Sequence, residues 1–343
     1  MLRDITRKKR VPDYAIDLGT SSTQIASRSG VVQVDEPSVV AFQQGARGRE
    51  VVAVGEEARR MLGRTPPGIT VIQPIRNGVV TDFHAAETLL HILMKRSVSR
   101  SLTRPKVGVC AATDLPEAER RAIVESVRSA GAKEVMVIPN AMATALGVDL
   151  PVKEAAGSMV IDIGGGRTEV AVISLGGMVV RKSIPVAGDA LESAISNWLM
   201  RHHQLTIGER TAEKLKIRIA AALPVARPQA LRIRGRDVNT GAPRELSLNS
   251  NDMATALAPP LKKIQALVID VLSHTPPELS ADIIDRGIIL SGGSSLLPGI
   301  SQILRTTTGL PILEVENPTR STVLGAVRLM EDVDLFHRVT ATG

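Results

Sequence analysis

Aromatic side chains are almost missing from this chain: among 343 residues there are one Trp, one Tyr and three Phe. Proteins that hold single-stranded nucleic acid stack its bases on rings, so no nucleic-acid partner is expected despite a pI of about 9.8. Cysteine is as scarce. Cys110 is the single thiol, which excludes an intrachain disulfide; with no secretory-type signal in view, a reducing, cytoplasmic setting is expected. No apolar run approaches the ~20 residues that cross a bilayer. Low-complexity tracts and long flexible linkers are also lacking, which points to a rigid body.

What is present suits two folded domains. The chain is too long for one ordinary core, and 43% hydrophobic residues with a mean hydropathy of +0.10 supply ample apolar surface. The basic excess is unevenly placed. Arg3, Arg7, Lys8, Lys9 and Arg10 against Asp4 put more than half of the formal net charge of +7 in the first ten residues. With Leu2 and Ile5, this tail is either a contact for an anionic membrane surface, each cation contributing about 1 kcal/mol close to it, or a solvated terminus. A second basic stretch, 95–105, carries Val98 and Leu102 as isolated apolar tips. It reads as a surface loop or as a further membrane contact.

The chain is organised around residues 160–172, an apolar run broken by Asp162, then Gly164, Gly165, Gly166 and Arg167, then a second apolar run. Two strands joined by a glycine-bared hairpin are expected. Such a turn can present successive N–H groups to phosphate oxygens while the Asp faces a hydrated divalent cation, or it can be a turn and nothing more. The pattern occurs twice. Asp17, Gly19, Thr23 and Ile25 stand at a constant offset of 145 residues from Asp162, Gly164, Thr168 and Val170. Two such hairpins suggest duplicated domains closing on phosphates from either side of one cleft.

Coarse periodicity extends the duplication. Residues 30–75 read as a small insertion with short strands at 31–34, 38–42 and 51–54 and a helical pattern at 56–62. Helical spacing covers 82–95 and 116–130, with strands at 106–112 and 134–138 and a helix starting at Asn140. The second half repeats the order: strand 287–290, helix 296–308, strand 311–315, helix 320–330. Between the halves, 188–222 is expected to be helical, 231–238 and 245–249 to be strands, and 251–272 a long helix. The result is an α/β chain of two like domains.

Chemistry is expected in four places. Asp17 and Asp162 would orient water around Mg²⁺, which takes one or two carboxylates together with substrate phosphates. Thr20, Ser21, Ser22 and Thr23 offer donors on one side, and Gly164–Arg167 with Thr168 on the other. Gly292, Gly293 and Ser294 form a turn into a helix, either a common helix entry or a site passing beneath a base, a sugar or an anion. Glu209, Glu213 and Lys216 lie on one helix; Glu213 and Lys216, three apart, are either an exposed pair or partners for ribose and adenine.

These hairpins, the Gly-Gly turn and their order resemble the actin, Hsp70 and sugar-kinase superfamily. Asp35–Ala41, Met61–Pro66, Gly78–Phe83, Glu119–Ile123 and Gly157–Gly166 are similar to the MreB/Mbl family of bacterial actins, over residues 12–330. The length leaves no room for the peptide-binding domain of an Hsp70 chaperone. The resemblance implies duplicated actin-like (ribonuclease-H-like) domains with mixed five-stranded sheets flanked by helices and a nucleotide cleft between them. It implies a basic tail over 1–11, domain I over 12–143 plus 315–338 with a small subdomain at 30–75, and domain II over 144–314 with a small subdomain at 182–246. It further implies ATP and Mg²⁺ as ligands and filaments of this chain or of paralogous subunits. These would lie on the inner face of the cytoplasmic membrane and work with cell-wall synthesis proteins to guide peptidoglycan synthesis and cell shape.

Departures from the family pattern bear on hydrolysis. Where the family reads Ile-Glu-Glu-Pro-Met-Ala, this chain has Ile138-Pro139-Asn140-Ala141-Met142-Ala143. An Asn can hydrogen-bond the attacking water but cannot take its proton, which removes assistance of ~10²–10⁴-fold. Arg167 replaces the usual Thr and would bring a cation toward the γ-phosphate. Nucleotide binding with slow or absent hydrolysis is therefore expected. Ser22 for the usual Asn and Ser294 for the usual Gly are smaller changes. A non-polymerising nucleotide-binding scaffold is the alternative, as is a copolymer partner of an active paralogue; a small-molecule kinase fits less well, since no further Asp is placed to act on a hydroxyl.

Overall fold

The computed structural model describes residues 11–45, 48–97 and 104–341. The tail cations Arg3, Arg7, Lys8, Lys9 and Arg10 and the loop residues Val98 and Leu102 lie outside these.

Two five-stranded sheets carry the architecture. In the first, β1 (Tyr14–Leu18), β2 (Ser22–Ser27), β3 (Val32–Pro37), β4 (Lys106–Ala111) and β5 (Glu134–Pro139) lie in the order β5-β4-β1-β2-β3. In the second, β6 (Ser158–Ile163), β7 (Thr168–Ser174), β8 (Gly177–Ile184), β9 (Ile288–Ser291) and β10 (Ile312–Glu314) lie in the order β8-β7-β6-β9-β10. Both sheets join an antiparallel three-stranded meander to two parallel strands, and each acidic hairpin starts from the strand where the two parts meet. The sheets are therefore copies in topology as well as in motif. Smaller sheets stand beside them: 40–45, 48–54 and 69–72 in the first half, and 205–206, 230–237 and 243–249 in the second.

The helices follow from their burial stripes. In α1 (Phe83–Ser97) the buried residues Ala85, Ala86, Leu89, Leu90, Leu93 and Met94 recur at helical spacing. After α2 (Glu117–Ser129) come α3 (Asn140–Gly147), α4 (Gly188–His203) and α5 (Glu209–Arg218). The long α6 (Ser250–Ser273) starts on a reciprocal cap between Asn249 and Asp252. It runs through Pro259 and Pro260, although a proline inside a helix costs about 3 kcal/mol. Burial of Met253, Leu257, Leu261, Ile264 and Val268 along one face offsets this. Last of the named helices is α7 (Ser321–Glu331).

One core cluster belongs to the second sheet and its helices, another to the first, and a third bridges the halves through Ala15, Cys110, Met142, Val160, Ala171, Val323 and Phe336. The bridge centres on α3 and α7, which approach closely: a Cβ on Gly147 would stand 1.8 Å from the Ser321 carbonyl oxygen. Among the described residues no helix is long and apolar enough to cross a membrane.

Several elements differ from the periodicity reading. The helical region expected over 188–222, with stripes at 189–200 and 211–222, is two helices, and between them lies the unexpected strand Leu205–Thr206 after Gln204 in the left-handed region at φ 51°. The helix expected from 296 begins at Ile300, because Pro298 and Gly299 (φ 84°) interrupt it after a 3-10 turn at Gly293–Leu296. Residues 32–37 are a strand of the large sheet. Helices Pro277–Arg286 and Val333–Ala341 have no counterpart in that reading.

Candidate functional site

The two hairpin turns line one cleft of about 180 Å³ between the sheets, together with Gly78, Cys110, Asn140, Glu169, Gly292, Gly293, Thr319 and Thr322. The first turn is held open by its own bonds: Gly19 N–H donates to the Ser22 carbonyl, and Ser38 Oγ donates to the Gly19 carbonyl at 2.6 Å while bonding Thr23 Oγ1 at 2.8 Å. A Cβ on Gly19 would sit 2.7 Å from the Ser22 oxygen, so glycine is needed there. Thr20 Oγ1 accepts from Gly78 N–H at 2.9 Å. In the second turn Gly166 packs on Thr20 and Gly165 on Ser21, which brings the two bared backbones against each other.

Asp17 and Asp162 hold equivalent registers, opposite Gln24 and Glu169. Burial, then the neighbouring Asp162 and Asp35, push the Asp17 carboxyl up to about 7. Asp162 is also raised by burial, although Thr144 Oγ1 (2.9 Å) and Thr322 Oγ1 (3.4 Å) donate to its Oδ2. Among the described residues no protein group donates a hydrogen bond to the Asp17 carboxylate. Two buried carboxylates, one raised further by the other and without a protein donor, form a donor set suited to a hydrated Mg²⁺ ion.

Asn140 opens α3 at the cleft wall. Its Nδ2 donates to Glu169 Oε1 at 2.8 Å, and its buried Oδ1 has no protein partner. Glu169 is pushed up to about 8, mainly by burial and then by Asp162. Arg167 lines the cleft with its backbone turn, while its guanidinium donates to Ser183 Oγ and to the Asn77 carbonyl (3.2 Å) and lies 3.7 Å from Asp114.

The remaining expected residues separate into groups. Gly19, Thr20, Ser21, Ser22, Gly164, Gly165, Gly166, Gly292 and Gly293 all line the cleft. Thr168 is fully buried and donates to the Val186 carbonyl at 2.7 Å, and Ser294 Oγ donates to the Gly164 carbonyl at 2.7 Å, so both brace the second turn. Glu209 and Glu213 line an adjoining space of about 300 Å³ that shares Thr20 and Ser21 with the cleft. Glu213 pairs with Arg59 across that space, and Lys216 pairs with Glu192 at 2.6 Å. Sequence reasoning missed Glu169, Thr144, Thr322, Asp114 and Ser183. The offset of 145 that links the hairpins also links Glu169 to Gln24, a signal present in the sequence.

With this geometry established, comparison with known proteins gives a consistent result. The family model described as "MreB/Mbl protein" matches residues 11–338. The cell shape-determining protein MreB of Escherichia coli (strain K12) is 43% identical over 327 residues, covering 94% of each chain. The cell shape-determining protein Mbl of Bacillus subtilis (strain 168) is 41% identical over 323 residues, covering 94% of this chain and 96% of its own. Among solved structures, MreB5 of Spiroplasma citri bound to AMPPNP superposes with a TM-score of 0.88 at 29% identity, covering 96% of this chain and 98% of that one. A MamK double helical filament shares the fold, with a TM-score of 0.76 at 20% identity, covering 93% and 98%. The duplicated sheets, the paired acidic turns and these likenesses agree: the chain has the actin-like fold and belongs to the MreB/Mbl family.

Proposed function

We propose that this chain is an ATP- and Mg²⁺-binding subunit of an actin-like filament on the inner face of the cytoplasmic membrane, where it guides cell-wall synthesis and cell shape with slowed hydrolysis. The observation that carries the reading is the pair of glycine-bared turns meeting across one cleft with Asp17 and Asp162 in matching registers. Relatives named for determining cell shape and a relative bound to AMPPNP support it.

In this reading 12–143 with 315–338 works as one lobe and 144–314 as the other, with small subdomains at 30–75 and 182–246. The turn amides of Thr20, Ser21, Gly165 and Gly166 hold the phosphates, since those of Gly19 and Gly164 close the turns themselves. Glu209, Glu213 and Lys216 stand on the nucleoside side, beside the Gly292, Gly293 and Ser294 turn. Asp17 and Asp162 would hold a hydrated Mg²⁺, which would supply neutralisation of phosphate charge. Asn140 spends its amide N–H on Glu169, and an amide oxygen cannot accept a proton from the attacking water. That side chain orients without acting as a base. Slow turnover favours long-lived filaments, or copolymers whose dynamics a paralogous subunit sets. Arg3, Arg7, Lys8, Lys9, Arg10, Val98 and Leu102 supply the membrane contact.

Sedimentation with Mg·ATP, with and without anionic vesicles, tests the assembly. Single-turnover hydrolysis by Asn140→Glu and Arg167→Thr, singly and together, tests the slowing, with a gain of ~10²-fold expected for the pair. Hydrolysis by the unaltered chain as fast as by the double variant refutes the slowing. Absence of any calorimetric signal with Mg·ATP refutes the reading as a whole.

A further inference from the structure

Beside the glycine triplet, four residues tie the two halves of the molecule together. Arg167 Nε donates to the Asn77 carbonyl at 3.2 Å, and its Nη1 donates to Ser183 Oγ. The Ser183 hydroxyl passes the chain on, donating to Asp114 Oδ1 at 2.6 Å, while the Ser183 backbone N–H donates to Asp114 Oδ2 at 3.0 Å. Asn77 and Asp114 belong to the first half of the chain, on the loop between two short strands and on the loop after β4. Arg167 and Ser183 belong to the second half, on the β6–β7 turn and on β8.

The arrangement is closed on itself. Asp114 accepts twice from Ser183 and faces the Arg167 guanidinium at 3.7 Å, so its charge is matched within the cluster. The Arg167 side chain is only 17% exposed. The Gly78 backbone lies against it, close enough that a Cβ there would stand 3.3 Å from Nε. A threonine at 167 is too short to span from the turn to Ser183 and Asn77 together. The contacts to Asn77 and Asp114 made from position 167 are thus a property of this chain's Arg, and they add to the Ser183–Asp114 bonds.

A ligand shifts a conformational equilibrium only by the difference in its affinity for the two states. In a two-lobed nucleotide protein, a terminal phosphate that touches both turns is rewarded for closing them. Protein bonds that already join the lobes at the same place leave that phosphate less to contribute. We propose that Arg167, with Asp114 and Ser183, is a nucleotide-specificity determinant: the clasp fixes lobe closure independently of the γ-phosphate, so nucleoside di- and triphosphates bind and close the chain alike. The inference rests on the nucleotide-binding reading above and deepens it.

The test uses the full chain and two variants, Arg167→Thr and Asp114→Ala, the second removing the acceptor from the opposite lobe should the first fold poorly. Calorimetry with Mg·ADP and Mg·AMPPNP gives the affinity ratio, and hydrogen exchange of the peptide containing Ser183 reads the clasp directly, because its amide is bonded to Asp114. The intact chain is expected to bind the two nucleotides within about threefold of each other, with equal protection at Ser183. The variants are expected to favour AMPPNP by about tenfold, the effect of roughly 1.4 kcal/mol of restored discrimination, and to lose protection at Ser183 with ADP. An intact chain that itself prefers AMPPNP tenfold, or variants indistinguishable from it, overturns the proposal. If neither nucleotide binds the intact chain, the nucleotide reading fails. Exchange at Ser183 then decides the clasp alone: faster exchange in the variants upholds it, and equal exchange removes it.

Discussion

The joint between the halves invites a substitution whose sign separates two physical effects. Gly325 lies inside α7, and a methyl group there would stand 1.7 Å from the Ala143 carbonyl oxygen and 2.5 Å from the Gly147 nitrogen, both on α3. Real Cβ contacts stay above 3.0 Å, so Gly325→Ala requires the helices to part by more than about 1 Å. The neighbours Val323, Ala326, Leu329, Met142 and Ala143 are fully buried and leave no slack. Helix propensity alone favours the alanine by up to ~1 kcal/mol. Forcing apart a packed interior costs about 1–3 kcal/mol or more, and a backbone obstacle on both sides places this case near the upper end, at about 3 kcal/mol. Less the propensity gain, about 2 kcal/mol remains, and with an unfolding entropy of about 2.1 cal/mol/K per residue a cooperative chain of this length loses about 3 °C in Tm. Propensity acting alone would raise Tm by about 1 °C instead. Calorimetric melting of Gly325→Ala beside a Gly208→Ala control is the assay; Gly208 has φ −78° and no atom within 4 Å of its added Cβ. A Gly325→Ala melt within about 1 °C of the parent, or above it, shows that α3 and α7 do not meet backbone to backbone and refutes the packing argument.

Three further outcomes are expected. Asp17 and Glu169 have folded-state values raised to about 7 and about 8. The native state therefore holds more protons than the unfolded chain between the ordinary carboxylate range and those values, so the contribution of these two groups to stability falls as pH rises through that window, by up to ~1.4 kcal/mol per pH unit for each group. Urea midpoints at pH 5.5 and 8.5 should show the drop, with Mg²⁺ reversing part of it at pH 8.5, and a flat profile would contradict the burial of these carboxyls. Asp162→Asn keeps an acceptor for Thr144 and Thr322 but removes the charge, so the Mg²⁺-dependent part of ATP affinity should fall by about tenfold or more in titrations with and without the metal; an unchanged affinity would move the cation elsewhere. Asn249→Ala removes both side-chain acceptor bonds at the start of α6 and should cost about 1–2 kcal/mol in denaturant melts. A loss under about 0.3 kcal/mol would mean that burial of α6, not its cap, sets that helix's start.

Much of the fold was legible because it is local. Apolar runs broken by Asp17 and Asp162, and glycines where backbones must approach, specify hairpins without reference to distant residues. Their constant offset then implies twin sheets, and the twin strand orders agree with it. The start of α6 at Ser250, one residue before the expected Asn251, is likewise a matter of one capping side chain, Asn249, and the next turn. By contrast, the split of 188–222 at Gln204 depends on a strand pairing with Asp237, more than thirty residues on.

By itself, then, the sequence determined the two acidic turns, their repetition and the residues able to face a phosphate, since each depends on neighbours a few positions away. Only the tertiary structure decided how those residues are employed. Arg167 reads as a cation for the γ-phosphate and Glu213 as a partner of Lys216 or of ribose and adenine, until Asp114 and Ser183 occupy the first and Arg59 the second. Glu169 becomes part of the site only because its strand register sets it opposite Asp162 and within reach of Asn140. Which charges meet across a cleft is set by how two separately folded sheets dock, and that docking depends on the backbone contact of α3 and α7, for which no short stretch of sequence holds the information.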